Sequence, residues 1–198
     1  MRELGAADAA QFQALRLRGL AECPAAFASS VDEERVTPVA EVALRLRAQP
    51  GHCVLGAFRR DTLVGCIGLE RERHRKLAHK AFVWGMYVAP EARRTGVGRA
   101  LLVEALRRAR AMAGVRQVNL GVNAANTPAV ALYERLGFVP FGVERGFMLV
   151  DGIAHDEIHM VPVIILRPVL HVWPRGIVVH QRAVAIGVGR VQSIEFRQ

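Results

Sequence analysis

From residue 8 to residue 22, Phe12, Leu15, Leu17 and Leu20 fall at helical spacings behind Asp8, a residue suited to capping a first turn, and a helix is expected there. Pro24, Pro38 and Pro50 punctuate the next segment of chain. The stretch from Cys23 to Val36 reads as a surface loop, and "VAEVALRLRA", Val39 to Ala48, as a second helix. The period then changes. "HCVLGAFRR" and "TLVGCIGLERE" are β-rich runs around "RRD", a hairpin signature. "KAFVWGMYV", Lys80 to Val88, is apolar nearly throughout, as a central strand covered on both faces would be.

Helical spacing returns at Val97, where Leu101, Leu102, Ala105, Leu106 and Ala109 share one side, Arg107, Arg108 and Arg110 oppose them, and Gly114 supplies a stop. "VRQVNLGVN" comes next as a strand, so strand, helix and strand make a βαβ unit with a parallel pair. "TPAVALYERLG" is a short helix with Pro128 in its first turn and Gly137 at its end, and "VERGFMLVDGIAHDEIHMVPV" is two strands around the turn pair Asp151 and Gly152. The pattern predicts one mixed α/β domain.

Composition narrows the class without naming a function. The 198 residues suffice for a core without staples, and a hydrophobic content of 52% excludes a disordered polymer. No apolar run reaches the roughly 18 to 20 residues of a bilayer span, and "MRELGAADAAQF" has no signal-peptide core, so a cytoplasmic protein with no membrane partner is expected. Cys23, Cys53 and Cys66 are odd in number and lack metal-ligand spacing, which predicts buried thiols and no metal site. The net charge is +9, and of 27 basic residues all but Lys76 and Lys80 are arginine. That balance favours an anionic ligand without choosing among nucleic acid, phosphate cofactor and acidic substrate. Its scatter along the chain fits a nucleotide-composition bias as well as a binding face; only "RERHRKLAHK" is dense.

The candidate chemistry begins at "EARRTGVGRALL", where the central strand hands over to the helix from Val97. A Walker A loop needs a lysine and a hydroxyl residue that are absent, and the dinucleotide fingerprint fails because Leu101 stands at its third glycine and "VNAAN" brings no ribose-binding acid. A third pattern, Arg or Gln followed by xxGxG, is met by Arg93, Gly96 and Gly98. Glycines there let the backbone approach a pyrophosphate, helix N-terminal amides donate to its oxygens, and the helix dipole adds positive potential. After the next strand, Asn126, Ala129, Leu132, Tyr133, Gly137 and Phe138 fit NxxAxxLYxxxGF.

On these two motifs the chain resembles the Gcn5-related N-acetyltransferase (GNAT) family over roughly residues 1 to 162, most strongly from Phe82 to Met160. The resemblance implies an acyl-CoA N-acyltransferase fold: a mixed, mostly antiparallel sheet with one parallel pair, flanked by helices. It implies acetyl-CoA as co-substrate, no metal, and transfer of acetyl to a primary amine of a small molecule or protein by direct attack in a ternary complex. It also implies site residues. Met86, Tyr87 and Val88 would pair with the pantetheine arm as an added strand. Arg93, Arg94, Thr95, Gly96, Val97, Gly98 and Arg99 would cradle the pyrophosphate, and Asn126 would hold the cofactor from the neighbouring helix. Tyr133 would protonate the departing thiolate, its competing reading being a packing residue.

Some relatives carry a glutamate four residues before the position of Met86, where this chain has Phe82. Glu70 is therefore taken as the general base, with Glu72 beside it; His79, Asp156 and Glu157 read more simply as surface or packing residues. "DEE", Asp32 to Glu34, reads as a solvated loop. Residues 163 to 198 form a Val-rich, basic extension of unassigned role, a candidate hairpin about "WPRG" covering a sheet edge or the partner subunit of a homodimer. Two other functions stay open: a CoA-binding regulatory module without turnover, suggested by Phe82, and a nucleic-acid-binding protein, suggested by the charge but lacking a docking motif.

Overall fold

The computed structural model describes residues 1–162; the C-terminal extension and its expected hairpin lie outside the described residues. The strands are β1 (Arg2–Glu3), β2 (His52–Arg59), β3 (Thr62–Arg71), β4 (Lys80–Val88), β5 (Gln117–Asn123), β6 (Phe138–Val150) and β7 (Ile153–Pro162). The helices are α1 (Ala9–Glu22), α2 (Val31–Arg35), α3 (Val39–Arg45), α4 (Val97–Ala111) and α5 (Thr127–Arg135). One sheet runs in the order β1-β2-β3-β4-β5-β7-β6. Only the β4–β5 pair is parallel, as the βαβ pattern predicts.

Two cores sandwich this sheet. On one face Leu101, Leu102, Ala105 and Ala109 of α4 are completely buried against Leu55, Ile67, Val83, Val118 and Leu120. On the other, Phe12 and Leu15 of α1 and Val42 of α3 pack on Val54, Leu63 and Tyr87. Full burial of each such side chain stabilises the fold by about 1.5–3 kcal/mol, so the apolar alternation of β4 feeds both layers. Cys53 and Cys66 are buried, and burial pushes their thiols up to about 11 and about 12, while Cys23 is half-buried. Among the described residues no helix is long and apolar enough to cross a membrane.

Several local expectations change. The loop holding "DEE" forms α2, nucleated by a capping box in which Ser30 and Glu33 satisfy each other's backbone N–H groups. Glu34 is not solvated: it is buried and pairs with Arg16 at 2.7 Å and Arg45 at 3.6 Å. Asp8 stands ahead of α1 but does not cap it. Its carboxylate accepts from the Arg2 guanidinium at 2.6 Å and from the Gly5 N–H at 2.9 Å, which together hold it below the usual carboxylate range. The closing hairpin starts five residues early, at Phe138, and turns through Asp151 (φ 50°) and Gly152 (φ 77°).

Candidate active site

β4 and β5 pair from Lys80↔Gln117 to Val83↔Leu120 and then part. The cause lies in β4 itself. Cys66 faces Tyr87 and Gly68 faces Trp84, so two residues, Gly85 and Met86, oppose the single Ile67 of β3. Gly85 adopts φ +60°, the left-handed conformation that suits the first residue of such a bulge. One extra residue flips every later side chain to the other face. Met86 and Val88 therefore turn toward the α4 layer, and Tyr87 turns toward α1. From Trp84 to Val88 the strand has no β5 partner, which leaves backbone donors and acceptors facing a wedge.

The Tyr87 side chain is turned away from this wedge. Its ring packs against Gly19, and its hydroxyl donates to Glu22 Oε2 at 2.6 Å; burial, then that carboxylate, push the phenol up to about 12. Arg93 donates from Nε to the Val88 carbonyl at 2.9 Å, pairs with Glu22 at 2.6 Å and lies over the Tyr87 ring. Its guanidinium thus clamps the end of β4 to α1 rather than standing free in the loop.

The loop after β4 reaches α4 through two left-handed residues, Arg94 (φ +59°) and Gly96 (φ +86°). A Cβ at Gly96 would meet nothing within 4 Å, so the mouth of the turn is open. The first amide of α4 with a main-chain partner is that of Ala100, which donates to Gly96 O at 3.0 Å. The N–H groups of Val97, Gly98 and Arg99 precede it and point out of the helix start, flanked by the exposed Arg94 and Arg99. Thr95 donates to Ala92 O at 2.7 Å and tightens the turn. Gly98 serves packing as well, since a Cβ there would sit 3.1 Å from Met86 Cε and 3.4 Å from Leu132 Cδ2. An open turn of unpartnered amides with two arginines fits a pyrophosphate.

α5 brings Tyr133 to the same wedge. The ring is buried against Phe138, and the hydroxyl meets Met86 Sδ at 3.7 Å, a weak acceptor on the splayed strand. Burial pushes the phenol up to about 12, so it keeps its proton at neutral pH. Asn126 accepts from Ala129 N–H at 3.3 Å as the N-cap of α5; its carboxamide oxygen therefore fixes the helix that carries Tyr133.

Two carboxylates flank the wedge. Glu70 lies beside Phe82 in the β3–β4 register, accepts from Arg73 at 2.8 Å, and approaches His52 Nδ1 at 3.9 Å. Phe82 stands three residues before Gly85, about 10 Å along the strand at 3.3 Å per residue. Glu157 of β7 is placed differently. It faces Asn123 and lies so closely over Gly121 that a methyl there would collide with Oε1, one residue beyond the last β4–β5 pair. Leu120 and Ile158 beside it belong to the α4 core, so Glu157 is on the opposite face, which it shares with Trp84. Burial raises its carboxyl above the usual glutamate range, with Glu144 adding to the rise and His159 opposing it. Asp156 instead pins the hairpin, accepting from Gly146 N–H at 2.9 Å and Arg145 at 2.6 Å.

On that same face a cavity of about 390 Å³ opens between α1, α3 and the sheet. Its walls include Phe12, Arg16, Glu34, Arg45, His52, Arg73 and Trp84. Trp84 lies flat on Gly68, where any side chain would displace it, and stacks on His52 at 6.0 Å. Trp84 Nε1 and His52 Nε2 are buried without a hydrogen-bond partner among the described residues. Each such group costs about 1–3 kcal/mol when nothing satisfies it. Arg16 links the cavity to the wedge, its Nη1 lying 3.5 Å from where a Cβ on Gly85 would stand.

The family model described as acetyltransferase (GNAT) family matches residues 20–138. A mycothiol acetyltransferase of Thermobispora bispora is 48% identical over 62 residues, which are 31% of this chain. The matches span only 21% and 27% of the curated relatives concerned. Among solved structures, a GNAT-family acetyltransferase from Streptococcus pneumoniae superposes with TM-score 0.72 at 23% identity, covering 81% of this chain and 96% of that one. A GNAT-superfamily phosphinothricin acetyltransferase from Sinorhizobium meliloti, solved in complex with acetyl-CoA, superposes with TM-score 0.69 at 26% identity, covering 81% and 85%.

Proposed function

Because the chain belongs to the acetyltransferase (GNAT) family, we propose that it transfers an acetyl group from acetyl-CoA to a primary amine by direct attack in a ternary complex. The observation that carries this reading is the wedge: a bulged β4 released from β5, an open amide-lined turn at one end of it, and a proton-bearing Tyr133 inside it. Acetyl-CoA supplies the activated acetyl thioester; its C–S bond breaks as the amine nitrogen takes the acetyl group, leaving an amide and a free thiol.

The chain's own groups divide the work. The amides of Val97, Gly98 and Arg99, with Arg94 and Arg99, hold the pyrophosphate, and Gly96 and Thr95 shape the turn that presents them. The backbone of the segment from Met86 to Val88, which β5 leaves without a partner, orients the pantetheine arm. Arg93 and Asn126 act as positioning residues, one fixing the end of β4 and the other the start of α5. Tyr133 keeps its proton and donates a hydrogen bond to the departing thiolate; with a thiol reference pKa near 8.5 the phenol is the weaker acid, so the proton the amine gives up completes the thiol and leaves Tyr133 protonated.

An ammonium must lose a proton before its nitrogen can attack. Glu157 receives that proton directly or through one water, because it stands at the point of divergence while Glu70 lies further down β3 and is engaged by Arg73. Phe82, which favours a CoA-binding module without turnover, loses its force once a carboxylate reaches the wedge from β7. Thiol release from acetyl-CoA over a panel of amines tests the reading. Acetyl-CoA binding with no release from any amine class would favour the module, and absence of binding would overturn both.

A further inference from the structure

A row of two further side chains joins Glu157 to the edge of the sheet. Glu144 lies directly opposite Glu157 in the β6–β7 register, an arrangement that like charges disfavour unless something stands between them. His159 stands there. Its Nε2 meets Glu144 Oε2 at 3.1 Å and its Nδ1 meets Glu157 Oε1 at 3.7 Å, so each ring nitrogen faces a different carboxylate. The residues opposite His159 on the two neighbouring strands are glycines, Gly121 and Gly142, and Glu157 leans across the first of them. Phe141 and Phe147 hold the imidazole in place, their ring centroids 6.0 and 6.4 Å from it. Side-chain exposure rises along the row, from 15% for Glu157 through 29% for His159 to 55% for Glu144, which sits on the outermost strand among the described residues. Other charges nearby are engaged elsewhere or absent: Arg145 and Asp156 pair with each other, and the short turn Pro24–Ala26 that packs on β5 and β6 brings none. His155, on the same side of β7, lies beyond Glu157 toward the hairpin turn.

The balance of the reaction calls for an exit of this kind. An ammonium that becomes an amide gives up two protons; one completes the thiol, and the other must leave the wedge in every turnover. Resting on the acetyl-transfer reading with Glu157 as base, we propose that His159 and Glu144 carry this second proton from Glu157 to solvent. The proton on Glu157 Oε1 passes to His159 Nδ1, directly or through one water, as the Nε2 proton passes to Glu144 Oε2, which releases it to water. Glu157 is thereby ionised again, and the imidazole returns to its Nε2–H tautomer by exchange with water. Neither His159 nor Glu144 touches the reacting atoms; both act through Glu157 and set how fast the base is restored.

The test is thiol release by the full chain at saturating acetyl-CoA and amine, with and without added imidazole, read against an amine-free blank. In His159→Gln, whose amide can hydrogen-bond but cannot pass a proton, kcat is expected to fall about ten- to a hundredfold. Imidazole should restore most of that loss and leave the wild-type kcat unchanged. Glu144→Gln should show the same imidazole-dependent loss, and it serves as the second variant should His159→Gln fail to fold. The calorimetric Kd for acetyl-CoA should be the same in all three proteins. A wild-type kcat in either folded variant overturns the relay. So does a loss that imidazole leaves in place, because a merely structural role would give that result. Both of those outcomes leave acetyl transfer standing. Absence of thiol release from every amine class by the wild type refutes the transfer reading instead, and the relay with it.

Discussion

Gly96 and Gly137 form a matched pair that separates the role of the turn in binding from its role in folding. Their φ angles are 86° and 85°, and a Cβ at either would meet nothing within 4 Å. One opens the helix that comes after β4; the other ends α5. Alanine at each should therefore cost the same left-handed strain and no clash, about 1–2 kcal/mol. For a domain of this size that is a drop in Tm of about 2–8 °C. The two variants should differ in one respect only. A methyl at Gly96 projects into the open mouth over the amides of Val97, Gly98 and Arg99, whereas one at Gly137 projects into open space at the other end of α5. Losing the close approach of even one charge-assisted hydrogen bond, worth about 1.5–3 kcal/mol, raises the acetyl-CoA Kd about ten- to a hundredfold. Calorimetric titration of wild type, Gly96→Ala and Gly137→Ala, with Tm recorded for each, reads both quantities. Equal acetyl-CoA affinities in two folded, equally destabilised variants would refute the placement of the pyrophosphate on this turn.

Tyr133→Phe should lower kcat by about a hundredfold, the low end for a general acid, with the acetyl-CoA Kd and Tm nearly unchanged because the hydroxyl touches only Met86 Sδ; a wild-type kcat would make Tyr133 a packing residue. Glu157→Gln should abolish the acidic limb of the pH profile of kcat/KM, whereas Glu70→Gln should preserve it. The sign for stability runs the other way: burial raises the folded-state pKa of Glu157, so its contribution is full below the unfolded value and is lost as pH rises through the folded one. Glu157→Gln should accordingly be at least as stable as wild type at pH 7 by chemical denaturation, and a less stable variant would count against a desolvated carboxylate. Arg93→Met removes the clamp on Val88 O and Glu22 without touching the turn's amides; KM for acetyl-CoA should rise several-fold, and an unaltered KM would show that β4 holds its end without it.

What the chain disclosed in advance was whatever is encoded locally. The 3.6-residue stripe of Leu101, Leu102, Ala105 and Ala109 specifies α4, and the strand-helix-strand order around it specifies the parallel pair. The turn glycine at 96 was legible for the same reason: a left-handed residue before a helix is a demand made by a few neighbours. The bulge was not. In "FVWGMYV" nothing local distinguishes a straight strand, in which Met86 would continue the Trp84 face, from one that inserts an extra residue at Gly85 opposite Ile67 and reverses the faces. That choice is made by β3 and by the cavity under α1, where Gly68 leaves room for the Trp84 indole. Glu157 was set aside as a surface or packing residue for a like reason: its neighbours in sequence are an ordinary charged hairpin, and only the β5–β7 register lays it across Gly121 at the point where β4 departs. The residues missed are those whose meaning depends on contacts between strands far apart in the chain. The cavity walled by α1, α3, β2 and β4 is made almost wholly of such contacts, whereas the turn at Gly96 lies within a single stretch. The same physics makes a turn within one stretch readable in sequence and keeps a face shared by several strands for the folded sheet.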